Sequence, residues 1–172
     1  MAIHRLNHAV LYVRDVARSV AFYREVLGFE VIMELGGKAA FLRAPDSTND
    51  HDLGLFEMGS RAGASGAGQT TVGLYHLAWE VDTLLDLEAL AERLASAGAL
   101  VGSSDHSTTK SLYGKDPDGL EFEIVWLIPA DLLDDAAISN RDRIRPLDLA
   151  AEIARYGADT PSGVGISRVS AR

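Results

Sequence analysis

The sequence predicts an α+β fold: two β-α-β-β-β modules followed by a C-terminal helical extension. Three observations predict it. A histidine-bearing strand pattern occurs twice, each copy is followed by a helical repeat closed by glycine, and three strand-like runs follow each helix.

The repeated strand is Leu6-Asn7-His8-Ala9-Val10-Leu11-Tyr12-Val13 in the first half and Leu74-Tyr75-His76-Leu77-Ala78-Trp79-Glu80-Val81 in the second. Leucine, histidine and valine coincide, with the two histidines 68 positions apart. In the first helix Val16, Val20, Tyr23 and Leu27 fall at helical spacing, with Asp15 as N-cap and Gly28 as stop. In the second, Leu87, Leu90, Leu94 and Ala97 repeat the pattern and Gly98 ends it. Strands are expected near Phe29–Glu34, Lys38–Arg43 and His51–Met58, then near Leu100–Ser104, Lys110–Lys115 and Leu120–Leu127. Aligning the last strand of each set places Leu55-Phe56-Glu57 on Glu121-Phe122-Glu123.

Residues 1–129 are therefore read as one domain, with module 1 over about 4–59, a linker over 60–72 and module 2 over about 73–128. The linker assignment rests on the small residues from Ser60 to Gly68. Residues 130–172 form the extension, packed on this subunit or on a partner. It holds a short helix from Pro146 to Tyr156 before Gly157, and its last dozen residues are expected to be loose.

Composition narrows the function. The 172 residues are 47% hydrophobic and 24% charged, an ordinary balance for a packed core. A net charge of −9 with no basic run argues against nucleic acid as a partner. The absence of cysteine rules out disulfides, thiolate metal sites and cysteine nucleophiles. The opening residues do not read as a secretory leader, and no run approaches a membrane span, so the cytoplasm is the expected location.

Strand alternation sorts the ionisable residues onto faces. Leu120, Phe122, Ile124 and Trp126 form one apolar face, and Glu121 and Glu123 point the other way. His76 lies opposite Leu77 and Trp79. His51, Leu53, Leu55 and Glu57 share a side of the fourth strand. Ligand-type residues from several strands are thus expected away from the helices, and curvature of the sheets would gather them in a cavity. A lone strand histidine is ordinarily a structural residue. The recurrence of His8 as His76 reverses that reading. Glu121 shares the face of Glu123 and is its nearest competitor. His4 is assigned to solvent.

The segment HAVLYVRDVARSVAFYREVLGFEV, with His76 opening the second repeat and Lys115-Asp116-Pro117-Asp118-Gly119 before the last strand, resembles the vicinal-oxygen-chelate superfamily. That superfamily includes glyoxalase I, type I extradiol dioxygenases and the bleomycin- and fosfomycin-resistance proteins. The resemblance covers about residues 4–128. It implies modules forming a curved mixed sheet around a metal cavity, with His8, His76 and Glu123 as ligands of one divalent ion. Two imidazoles and one carboxylate leave about half the coordination sphere open.

Within the superfamily, Asp105-His106 through Tyr113, and Glu123 ten positions after Tyr113, look like an extradiol dioxygenase. So does His51 in Asp50-His51-Asp52-Leu53. That resemblance implies Fe(II), a catechol-type substrate and O₂ as partners. His51 would shuttle a proton, Tyr113 would hydrogen-bond a substrate oxygen, and His106 would line the pocket. The rival implication is a glyoxalase-type isomerase or lyase using Zn, Ni, Mn or Co, with Glu57 as a fourth ligand. A metal-free drug-binding resistance protein is the third. A homodimer is the expected assembly.

Overall fold

The computed structural model describes residue 3 and residues 5–163. The elements run β1 (Ala9–Val13), α1 (Val16–Glu25), β2 (Glu30–Glu34), β3 (Ala39–Arg43), β4 (Leu53–Glu57), β5 (His76–Glu80), α2 (Leu84–Ser96), β6 (Leu100–Asp105), β7 (Thr109–Lys115), β8 (Glu121–Leu127), α3 (Asp135–Ser139) and α4 (Leu149–Tyr156). The two repeats build two four-stranded mixed sheets of the same topology, β1-β4-β3-β2 and β5-β8-β7-β6. In each, the first strand pairs parallel with the last and the other pairings are antiparallel.

The chain divides into two compact units. Among the described residues, the first runs to Thr70 and includes the turn Asp116–Leu120; the second holds Thr71–Lys115 and Glu121 to Gly163. In the first unit α1 packs on β3 and β4. It forms because Val16, Val20, Tyr23 and Leu27 bury one stripe. Asp15 caps its start by accepting from Arg18 N at 2.9 Å. Gly28 ends it at φ 82, where Phe29 N reaches back to Tyr23 O at 3.0 Å. The turn Asp116–Leu120 is anchored by Asp118, whose carboxylate accepts from Arg14 N at 2.8 Å, Arg14 Nη1 at 2.9 Å and Arg18 Nη2 at 2.6 Å.

In the second unit α2 opens with a capping box, Thr83 and Asp86 each holding the other's backbone N–H. It buries Leu84, Leu87, Leu90 and Leu94. The alternation of β8 is as expected: Phe122, Ile124 and Trp126 are buried. Gly114 of β7 faces Phe122 across the ladder, and the buried Phe122 ring occupies the space that a Cβ at 114 would need.

The extension packs on the second unit of this same chain. α4 contacts α2. Trp126 Nε1 donates to Thr160 O at 3.0 Å, and Gly163 N donates to Leu127 O at 2.9 Å. Residues 161–163 are therefore bound rather than loose, because they close the backbone of β8. Two helices occupy the extension where one was expected; α3 is a single short turn capped by Asp134. His4 and residues 164–172 lie outside the described residues, so the expectations for them stand as stated. Among the described residues no helix is long and apolar enough to cross a membrane.

Replacing Gly114 by alanine forces a methyl into the Phe122 ring. We expect a loss of about 1–3 kcal/mol in urea unfolding, whereas Val101→Ala, at an exposed position, should change stability by about 0.5 kcal/mol or less.

Candidate metal and substrate site

The second unit brings together four of the six predicted site residues. His76 is the first residue of β5, and β5 runs parallel to β8 with Ala78 opposite Glu123. The pairing places His76 Nε2 3.1 Å from Glu123 Oε2. The carboxylate side chain is 14% exposed and the imidazole 25%, so both are shielded without being sealed. Two ligands at right angles on one ion, each bound at about 2.1 Å, stand about 3.0 Å apart. The pair thus already has the separation of neighbouring ligands on a small divalent cation. The buried Nδ1 of His76 has no hydrogen-bond partner. Glu121, the competing carboxylate, faces Lys115 at 3.9 Å instead.

Tyr113 stands directly across from Glu123 on β7. Its ring centroid is 6.1 Å from that of His76. His106, just beyond β6, meets the Tyr113 hydroxyl at 2.7 Å through Nε2. Burial, followed by the charge of Glu123, pushes the Tyr113 phenol above its ordinary value. It therefore stays protonated, and a hydrogen-bond donor, throughout the neutral range.

The first unit brings the other two together. β1 begins at Ala9, three residues after the Leu6 start that the sequence pattern suggests, and leaves His8 exposed just ahead of it. The His8 and His51 rings lie 4.6 Å apart, and His51 meets Phe41 edge-on at 5.0 Å. His8 Nδ1 donates to Asn7 Oδ1 at 2.7 Å, and His51 Nδ1 donates to Asp50 Oδ2 at 2.9 Å. In each ring the lone pair of the neutral form is thereby placed on Nε2, as a metal ligand or a general base requires.

Sequence reasoning missed the residues that hold this cluster. Asp52, buried, accepts from Asn49 Nδ2 at 2.6 Å, Ser47 Oγ at 2.8 Å and Ala44 N at 2.9 Å, folding the loop that presents His51. Asn49 also binds Asn7 O at 2.8 Å. The signal in the sequence is the polar run Asp46-Ser47-Thr48-Asn49-Asp50 just ahead of His51.

Glu57 is not where the sequence alignment placed it. Once His8 is set on His76, strand register equates Val10 with Ala78, and their partners across the ladder are Gly54 and Glu123. Glu57 lies three residues further on. Its side chain caps α1, accepting from Val16 N at 2.8 Å. Leu53 and Leu55, on the same side of β4, are fully buried, so this face packs inward rather than toward a cavity. The opposite face of β4 and β3 carries Phe56, which is exposed, and Phe41, which is half-buried.

Among the described residues no group of three or more His, Asp or Glu side chains is gathered to hold a metal. The structure gives the ligand candidates as a pair, His76 and Glu123, in one unit and a single histidine, His8, in the other.

A family model for the Glyoxalase/Bleomycin resistance protein/Dioxygenase superfamily matches residues 5–124. The catechol-2,3-dioxygenase of Bacillus subtilis is 30% identical over 120 residues, covering 69% of this chain and 40% of that protein. A probable lactoylglutathione lyase of Vibrio cholerae is 28% identical over 142 residues, covering 73% of this chain and 92% of that protein. Among solved structures, a glyoxylase/bleomycin resistance protein/dioxygenase domain from Frankia sp. EAN1pec matches with a TM-score of 0.63 and 26% identity, covering 75% of this chain and 96% of that one. The chain thus spans about two fifths of the dioxygenase's length and nearly all of the lyase's.

Because Glu57 caps a helix, Glu57→Ala should cost about 1 kcal/mol of stability while leaving divalent-metal uptake unchanged in equilibrium dialysis. A second expectation concerns acid. Burial raises the Asp105 carboxyl, but the Lys110 and Ser107 hydrogen bonds and the Lys110 and Arg145 charges outweigh it and hold the group below its usual range. Its contribution is therefore present above about pH 4, the unfolded value, and is lost as pH falls through the lower folded value. Asp105→Asn should flatten the acid limb of a stability–pH curve between about pH 5 and 2.

Proposed function

Since the chain belongs to the glyoxalase/bleomycin resistance protein/dioxygenase superfamily, we propose that it is a metal-dependent enzyme that opens the ring of a catechol-type aromatic diol with O₂. In this reading His8, His76 and Glu123 hold one divalent ion, with Fe(II) favoured. Members of the superfamily bind divalent metals such as Fe, Mn or Zn. The observation that carries the reading is the His106–Tyr113 contact at 2.7 Å, with Tyr113 set directly across the ladder from Glu123. A hydroxyl and an imidazole beside a metal carboxylate suit a substrate that offers two adjacent oxygens.

An Fe(II) ion held by His8, His76 and Glu123 would supply electron exchange between a catechol-type substrate and O₂, which no side chain can perform alone. The remaining work falls to the protein. The Tyr113 hydroxyl, kept protonated, donates to a substrate oxygen and orients the ring. His106 lines the pocket and holds that hydroxyl by donating Nε2–H to its oxygen, which leaves the hydroxyl hydrogen free for the substrate. His51, its Nδ1 fixed by Asp50, offers Nε2 to receive a proton and return it. The overall reaction joins one diol and one O₂, breaks a ring carbon–carbon bond and leaves both oxygen atoms in the product.

A second reading, a glyoxalase-type isomerase or lyase, is favoured by the extent of the lyase match, 92% of that protein. Its fourth ligand, a carboxylate, would belong at the counterpart of Glu123, and that counterpart is Gly54. This weighs toward the three-ligand oxygenase.

The ferrous protein, prepared anaerobically, should consume O₂ with a catechol and form a yellow ring-opened product. Tyr113→Phe and His51→Gln should each lower kcat by about 10²–10³-fold with iron still bound. No oxygen uptake across a panel of substituted catechols would remove the dioxygenase assignment, and isomerisation of a hemithioacetal would replace it with the second reading.

A further inference from the structure

The turn that carries His106 is braced by the extension at three points. Asp105 exchanges both backbone hydrogen bonds with Arg145, at 2.8 and 2.9 Å. Ser107 Oγ donates to Asn140 O at 3.0 Å. Lys110 is 1% exposed, and its ammonium lies between Asp105 at 2.5 Å and Glu152 of α4 at 3.1 Å.

Such bracing is costly for an ordinary hairpin turn. A buried ammonium must be fully paired to be tolerated. Ser107 sits at φ 67, the one non-glycine residue at positive φ among the described residues. Strain of that kind persists only where surrounding contacts over-determine it. What the brace fixes is the ring of His106, which reaches across to the Tyr113 hydroxyl while His106 N and O close the turn on Thr109 and Thr108.

We propose that the C-terminal extension is a positioning device: Glu152, acting through Lys110 and Asp105, and Asn140, acting through Ser107, set the His106 ring against the Tyr113 hydroxyl. None of these residues touches substrate. That the His106–Tyr113 pair serves turnover rests on the dioxygenase reading; that the extension sets the pair does not.

The test uses the full-length metal-free chain labelled with ¹⁵N-histidine. The His106 imidazole resonances are assigned by their loss in His106→Gln. In Glu152→Ala the His106 Nε2 signal should move by several ppm, to the value of an imidazole without the tyrosine partner; Glu152→Asp should restore part of the shift. Ser162→Ala is the control. It loosens the same extension at its other anchor, where Ser162 Oγ donates to Glu80 and accepts from Leu127 N, and it should leave the His106 signal in place. Should Glu152→Ala fail to fold, Ser107→Ala decides by the same signal. An unmoved signal in the folded variant, or an equal shift in Ser162→Ala, overturns the proposal and leaves the extension a cover only. In the iron-loaded protein Glu152→Ala should lower kcat about tenfold or more with KM nearly constant, as displaced but intact groups do. A shifted signal in a chain that takes up no O₂ would sink the dioxygenase reading and leave the positioning role standing.

Discussion

The parallel pairing of the first strand with the last in each repeat is the constraint on which the site depends. It joins residues far apart in sequence, and because side chains alternate with a period of two, its register fixes which of them share a face. In the second unit it sets His76 and Glu123 3.1 Å apart, with Tyr113 opposite the carboxylate. In the first unit the same pairing leaves Gly54 where the second has Glu123. One topology thus produces an imidazole–carboxylate pair in one repeat and an apolar, glycine-relieved surface with a histidine cluster in the other. The asymmetry lies in a few side chains, not in the backbone.

Much of this was legible in the residues. The stripe Val16, Val20, Tyr23 and Leu27, the caps Asp15 and Gly28, and the alternation of β8 all appear as the pattern requires, because they follow from local geometry. Register across a parallel pair is not local. Aligning Glu57 with Glu123 by the shared Phe-Glu dipeptide was off by three residues, and the two faces of β4 were exchanged with it. A carboxylate that accepts from the first N–H of a helix 41 residues earlier looks, in sequence, no different from a ligand. The buried Lys110 was equally hidden, since its partners Asp105 and Glu152 lie on different elements and only one is near it in the chain.

The loops show how positioning is achieved without a large core. Asp52 gathers three donors to shape the loop before His51, and Asp105 gathers two, Ser107 N and Lys110 Nζ, in the turn bearing His106. In both cases a shielded aspartate turns flexible polar chain into a fixed platform for an imidazole, and in both the neighbouring histidine meets an aromatic side chain. Charged hydrogen bonds of this sort are stronger than neutral ones, which suits a loop that must hold a ring still.

The metal set is the claim that bears most weight, and the stoichiometry of ferrous iron bound under anaerobic conditions tests it most directly. One ion should bind per chain in the wild-type protein, with a large loss of affinity in both His8→Ala and Glu123→Ala. Wild-type protein that binds no iron, or binding that neither substitution weakens, would contradict it.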